Sequence, residues 1–66
     1  MTFTSMLAEY IGRVVDVTVT GGTVFSGTLT DVAVSYIQVQ EPYGPYGPGL
    51  LLRIPTTNIE YVVVPQ

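Results

Sequence analysis

Apolar positions along this chain change their period at Arg13. Before it, Phe3, Met6, Leu7, Tyr10 and Ile11 recur at helical spacing and mark one face of a short helix over residues 4–11. Thr4 or Ser5 is suited to cap its start, and Gly12 to end it in the left-handed conformation. Two to three turns do not hold alone, so the helix is expected to lie on the rest of the fold as a lid. From Arg13 the period becomes two. Val15, Val17 and Val19 point one way, and Asp16, Thr18 and Thr20 the other, which predicts a half-buried strand over about 13–20. Gly21-Gly22 then supplies a tight hairpin turn; with strands on both sides and no helix start or Lys after it, a phosphate-cradling role is set aside.

The second strand, about 23–32, puts Phe25, Gly27 and Leu29 on one face and Ser26, Thr28 and Thr30 on the other. A glycine inside a strand marks a bend, a bulge or a close backbone approach, and a strongly bent strand is what a very small barrel needs. The alternation slips at Asp31–Ser35, and a third strand follows over about 35–40. Residues 41–49, EPYGPYGPG, cannot enter a central strand, because proline lacks the amide donor and glycine loosens the chain; they read as an exposed, extended loop presenting Tyr43 and Tyr46. Displayed aromatics of this kind bind bases or proline-rich partners, or, more often, pack on their own subunit or a neighbour. Two strands, about 50–54 and 59–64, close the chain.

Those last strands carry a distinct signal. Leu50, Leu51 and Leu52, with Ile54 beyond them, and Val62, Val63 and Val64 are apolar at consecutive positions, so both faces of each strand call for burial. A small barrel buries one face per strand, and an open apolar edge invites pairing with another chain. Strand-to-strand assembly of identical subunits through these seven residues is therefore expected. A head-to-tail contact closes into a ring or extends into a fibre.

Composition points the same way. Sixty-six residues make a single domain, 1–66, and a chain this short buries only about 60% of its unfolded surface. Lacking Cys and His, it has no disulfide or ordinary zinc site to add stability, which leaves oligomerisation. No cofactor or metal is expected, since the carboxylates at 9, 16, 31, 41 and 60 are scattered. Without His, Cys or Lys, and with Ser26 and Ser35 lacking a base partner, the chain is not expected to be an enzyme. The N-terminus lacks a secretory pattern, and no apolar run reaches the roughly 18 residues of a membrane span; a cytoplasmic protein is the expectation.

The order of helix and five strands, with the glycine of strand two, resembles the Sm/LSm superfamily, which includes the bacterial Hfq proteins. It is also similar to the short, divergent Sm-like proteins of bacteria and phages. The resemblance runs from about Ser5 to Pro65. It is carried by Tyr10-Ile11-Gly12-Arg13-Val14-Val15, Phe25-x-Gly27-x-Leu29, Tyr36-Ile37-x-Val39 and Thr57-Asn58-Ile59-x-Tyr61-Val62. It implies a mainly β fold: a short N-terminal helix, then a strongly bent five-stranded antiparallel sheet or small barrel. It implies a ring of about five to seven copies, built by pairing strand four of one with strand five of the next.

It further implies single-stranded RNA as a ligand, held by two turns. Those turns correspond here to Ser35 and Tyr36, and to Thr56, Thr57 and Asn58. Both depart from the family pattern. The first reads Asp31-Val32-Ala33-Val34-Ser35-Tyr36, with Ser35 or Tyr36 near the expected Asn; in the second, Pro55-Thr56 replaces Arg-Gly and only Asn58 is kept. The Tyr-Lys-His sequence of Hfq is absent.

Charge opposes strong nucleic-acid binding. A net charge of −3 rests on two arginines, Arg13 and Arg53, against five carboxylates, whereas phosphate neutralisation carries most nucleic-acid affinity. Both arginines read most simply as partners for the surplus carboxylates, although a ring gathers copies of Arg53 into a positive collar. Stacking on Tyr36 needs no charge. Two functions follow from this balance: an Sm-like ring with weak affinity for single-stranded RNA, or a ring scaffold that binds a protein, through Tyr43 and Tyr46, and no RNA.

Overall fold

A computed structural model describes residues 3–65. The chain is mainly β. Helix α1, Phe3–Leu7, runs into a 3-10 turn, Ala8–Tyr10, and five strands follow: β1 Val14–Val19, β2 Val24–Val32, β3 Tyr36–Gln40, β4 Leu51–Pro55 and β5 Ile59–Val63. A second 3-10 turn, Thr56–Asn58, joins the last two. All neighbours are antiparallel, in the order β4-β3-β2-β1-β5. The sheet is bent but does not close on itself as a barrel: β4 and β5 are its two edges.

Gly27 causes the bend. Its backbone has ordinary strand angles, yet a side chain there would sit 2.7 Å from Val39 Cγ1 and 2.9 Å from the Gln40 carbonyl carbon, and closer still to the Gln40 oxygen. β3 therefore folds down onto β2 at the one position without a Cβ. Three residues on, the β2–β3 register slips around Thr30, whose hydroxyl donates to the Gln38 carbonyl (3.2 Å). Such a bulge adds twist to a strand already bent. β2 thus serves two partners, β1 through Val24–Thr28 and β3 through Thr28–Val32.

The concave face holds the core. Val15, Val17, Leu29, Ile37 and Val39 are fully buried, with Leu7 and Ile54 nearly so. Each fully buried aliphatic side chain contributes about 1.5–3 kcal/mol. The strand alternation places this core as the period-two pattern predicts, with one correction. Thr18, assigned to the exposed face of β1, is buried, in register between Val24 of β2 and Tyr61 of β5.

The N-terminal segment differs from expectation in two ways. Among the described residues the helix spans Phe3–Leu7, so Thr4 and Ser5 lie inside it rather than at its start. It is α-helical only to Leu7 and tightens to a 3-10 turn before Gly12, whose φ of +95° does end it as predicted. Leu7 is the buried contact, while Phe3, Met6 and Tyr10 line a shallow cleft of about 220 Å³ with Val62 and Val64. The helix thus packs on the β5 end. The predicted hairpin at Gly21-Gly22 is present, both residues having positive φ, and is closed by Val19 N–H donating to Thr23 O (2.9 Å).

Candidate assembly edges and nucleic-acid interface

The β4 edge can be read atom by atom. Thr56 N–H donates to Ser35 O (3.0 Å) beyond one end of the β3–β4 ladder, and Glu41 N–H donates to Leu50 O (2.9 Å) beyond the other. In an antiparallel ladder, bonded and non-bonded pairs alternate. The bonded pairs are then Ile37 with Ile54 and Val39 with Leu52; the non-bonded pairs are Tyr36 with Pro55, Gln38 with Arg53, and Gln40 with Leu51. The amides and carbonyls of Leu51 and Arg53 consequently face outward, together with the Pro55 carbonyl. Pro55 falls where no donor is needed for the ladder, which is where an edge strand tolerates proline.

The residues expected to form a subunit interface divide by face. Ile54 belongs to the chain's own core, and Leu52, Val62 and Val64 pack partly against it. Leu51, Val63 and Tyr61 are 57, 47 and 56% exposed, and Leu50, just before β4, is also exposed. Leu50 and Val64, both expected within strands, lie one residue outside β4 and β5. Between the edges the concave face stays open as a groove of about 430 Å³, lined by the apolar Val19, Phe25, Leu52, Ile54 and Pro55 and by the polar Thr20, Arg53 and Asn58.

The residues assigned to base binding come together at one end of the sheet. Tyr36 pairs with Pro55, and the backbone bond from Thr56 to Ser35 ties the second 3-10 turn to the start of β3. The Thr56 hydroxyl donates to Val34 O (3.0 Å), so it is committed to the scaffold. The Asn58 carbonyl accepts from the Thr20 amide (2.7 Å) and hydroxyl (3.2 Å), while Thr57 and Asn58 are exposed. Neither Ser35 nor Thr56 presents the amide side chain that reads a base edge.

Arg53 is the residue this site adds. Its guanidinium carbon lies 4.4 Å from the centroid of the Tyr36 ring, a close cation–π contact. Arg13 lies 5.8 Å from the Tyr10 ring and donates to Pro65 O (3.4 Å). The expectation that both arginines pair with carboxylates is thus corrected: among the described residues, each lies against a tyrosine. The strand offsets held the signal, since an antiparallel β3–β4 hairpin centred on the 41–50 loop sets Arg53 opposite Gln38 and diagonal to Tyr36. Three of the five carboxylates find hydrogen-bond donors instead: Asp16 accepts from the Ser26 hydroxyl (2.7 Å), Asp31 from the Val32 amide (2.9 Å) and Glu41 from the Leu50 amide (3.1 Å).

The Pro-Tyr-Gly loop is a held hairpin, not the extended segment its composition suggests. Gly44 and Gly47 exchange backbone hydrogen bonds of 2.8 and 3.2 Å around a Pro45-Tyr46 tip, with Gly47 at φ +113°. At its base the Gln40 side-chain amide donates to Gly49 O (2.8 Å) and Glu41 O (3.1 Å). Tyr43 and Tyr46 are exposed on this hairpin, as expected. Gln40→Ala should leave the sheet intact and loosen the loop. Losing about 1.4 kcal/mol of bonding corresponds to roughly tenfold faster hydrogen exchange at the Gly44, Gly47 and Leu50 amides, with β1 and β2 unchanged. Equal exchange in both proteins would show that the amide clamp does not hold the loop.

Among the described residues, no group of three or more acidic residues is placed to hold a metal ion, and no helix is long and apolar enough to cross a membrane. Compared with protein-family models, curated proteins and solved structures, the chain matches none of them.

Proposed function

We propose that this protein is an Sm-like, ring-forming homo-oligomer whose copies join β4 to β5, and that the ring holds single-stranded RNA weakly at Tyr36. One observation carries the assembly: the two sheet edges are β4 and β5, and both bear exposed apolar residues beside an open groove onto the core. Joining them satisfies the outward backbone groups of Leu51 and Arg53 and covers Leu51, Tyr61 and Val63. A contact between two different edges is head-to-tail, and where its rotation closes, repetition makes a ring. By the family resemblance the ring has about five to seven members.

The Tyr36–Arg53 stack supports the RNA reading. A tyrosine backed by a guanidinium offers its other face to an unpaired base and brings one positive charge to the phosphate beside it. Affinity is weak because each copy has only one such cation there and a net charge of −3. Asn58, exposed in the adjoining turn, supplies an amide for a base edge. No catalytic step is part of this reading.

Native mass spectrometry of the protein, alone and with short oligo-U and oligo-A, tests both halves. A closed ring that takes up RNA is the expected result. Tyr36→Ala should leave the ring intact and weaken RNA binding by about 1–3 kcal/mol per stacked base. Unchanged affinity in that variant removes Tyr36 from the site. A ring that ignores RNA altogether makes the protein an assembly scaffold, with the hydrogen-bonded hairpin of Tyr43 and Tyr46 as its contact surface for a protein partner.

A further inference from the structure

Three edge-to-edge contacts are open to this sheet: β4 with β4, β5 with β5, and β4 with β5. Backbone pairing and apolar coverage alone favour none of them, since each edge carries both. Charge separates them. β4 contains one charged residue, Arg53, and β5 contains one, Glu60; both are exposed. Resting on the assembly reading above, we infer that these two residues select the head-to-tail contact by excluding the two symmetric ones, and that Arg53 of one copy pairs with Glu60 of the next.

The exclusion of a β4–β4 dimer follows from the register. The outward groups of β4 belong to Leu51, Arg53 and Pro55, and a twofold antiparallel pairing that uses them all is centred on Arg53. It sets Arg53 directly across from its own copy. Like charges directly opposite destabilise a strand pair. A β5–β5 contact likewise brings two Glu60 carboxylates to one short seam. Only the unlike edges put one cation and one anion into each contact, and every contact around a ring is then the same. Selection by disfavouring the wrong partner is a general device of specific interfaces.

Local geometry leaves both residues able to do this. Glu60 is the extra residue of β5, since the register with β1 runs from Thr18–Tyr61 to Val19–Ile59 and leaves Glu60 without a partner across the strand. No residue of β1 is paired directly across from it. The Arg53 guanidinium lies with one face on Tyr36, and its N–H edge is free to meet a carboxylate while that contact persists. The pair would fix Arg53 over the ring, so assembly and base stacking draw on the same side chain.

Charge reversal tests this. Arg53→Glu and Glu60→Arg are each checked for folding by circular dichroism, and oligomeric state is followed by native mass spectrometry and sedimentation. Each single reversal should weaken every contact by about fivefold, the upper end of what one opposite-charge cross-strand pair contributes. The double variant, Arg53→Glu with Glu60→Arg, should regain wild-type assembly within about twofold. Should the double variant be as weak as the two single effects combined, the pairing is overturned while the ring stands. Should the wild type form symmetric dimers, the selection is overturned. A wild-type protein that stays monomeric at all concentrations overturns the assembly reading and this inference with it. Because Glu60 is exposed and lies outside the core, Glu60→Arg keeps the test decisive if Arg53→Glu does not fold.

Discussion

Gly27→Ala is expected to destabilise the fold by about 3 kcal/mol, at the upper end of what an overpacked core position costs. The added methyl meets the Gln40 backbone carbonyl and Val39 Cγ1. Val39 is fully buried and cannot swing away, and the Gln40 carbonyl moves only with its strand. Relief requires β3 to lift from β2, which opens the contact between Leu29 and Val39, paired in the register there. In a domain of this size, 3 kcal/mol lowers the thermal midpoint by roughly 12–24 °C. Gly44→Ala is the matched control, because a methyl there meets nothing within 4 Å and the backbone is not left-handed. Thermal unfolding of both variants by circular dichroism settles the matter; equal midpoints would falsify the close-approach role of Gly27.

The second large effect concerns assembly, and it depends on the parity of β4. Leu51 pairs with Gln40 at a non-bonded position, so its amide faces the free edge. If the proposed β4–β5 assembly forms, Leu51→Pro should keep the folded subunit, since no ladder bond is lost, and leave it monomeric by removing a donor and placing a pyrrolidine in the seam. Leu52→Pro, one residue on, deletes the amide bonded to Val39 and should unfold the subunit instead. Sedimentation separates the two outcomes. A Leu51→Pro protein that still assembles would remove the β4 edge from the interface. Monomers from Leu51→Pro beside intact rings from Gly44→Ala would place the contact at that edge.

Much of the architecture was legible in the chain because it follows from local rules. Period-two alternation located β1, β2 and β3 within a residue or so of their bounds, since one buried face imposes that pattern directly. Gly12, Gly21 and Gly22 announced their turns because positive φ is open to glycine at little cost. Gly27 announced a bend, a bulge or a close approach for the same lack of a side chain, although which of these, and what would approach it, was not written nearby. The errors were equally local in origin. Thr4 and Ser5 look like caps, but nothing in the sequence fixes the first residue of a helix to within one or two positions. The Pro-Tyr-Gly repeat looks extended, because the bonds that fold it come from Gln40, outside the repeat.

The candidate site was half legible. Ser35, Tyr36, Thr56, Thr57 and Asn58 belong to two separate turns in the chain, and the fold brings those turns together through Thr56 and Ser35. The role of Arg53 was not legible from charge counting, which sees seven charged residues and no neighbours. It depends on a diagonal between strands, and a diagonal exists only once the register is set.

By itself, then, the sequence determined most of the apolar faces, the turns at Gly12 and Gly21-Gly22, and that the last two strands are apolar at consecutive positions. These are properties of consecutive residues. Only the tertiary structure decided that the sheet remains open, that β4 and β5 are its edges, that Leu51 and Arg53 point their backbone outward and that Arg53 rests on Tyr36. The reason is physical: strand order and register are fixed by contacts between residues distant in the chain, above all by β3 settling onto the bare backbone of Gly27.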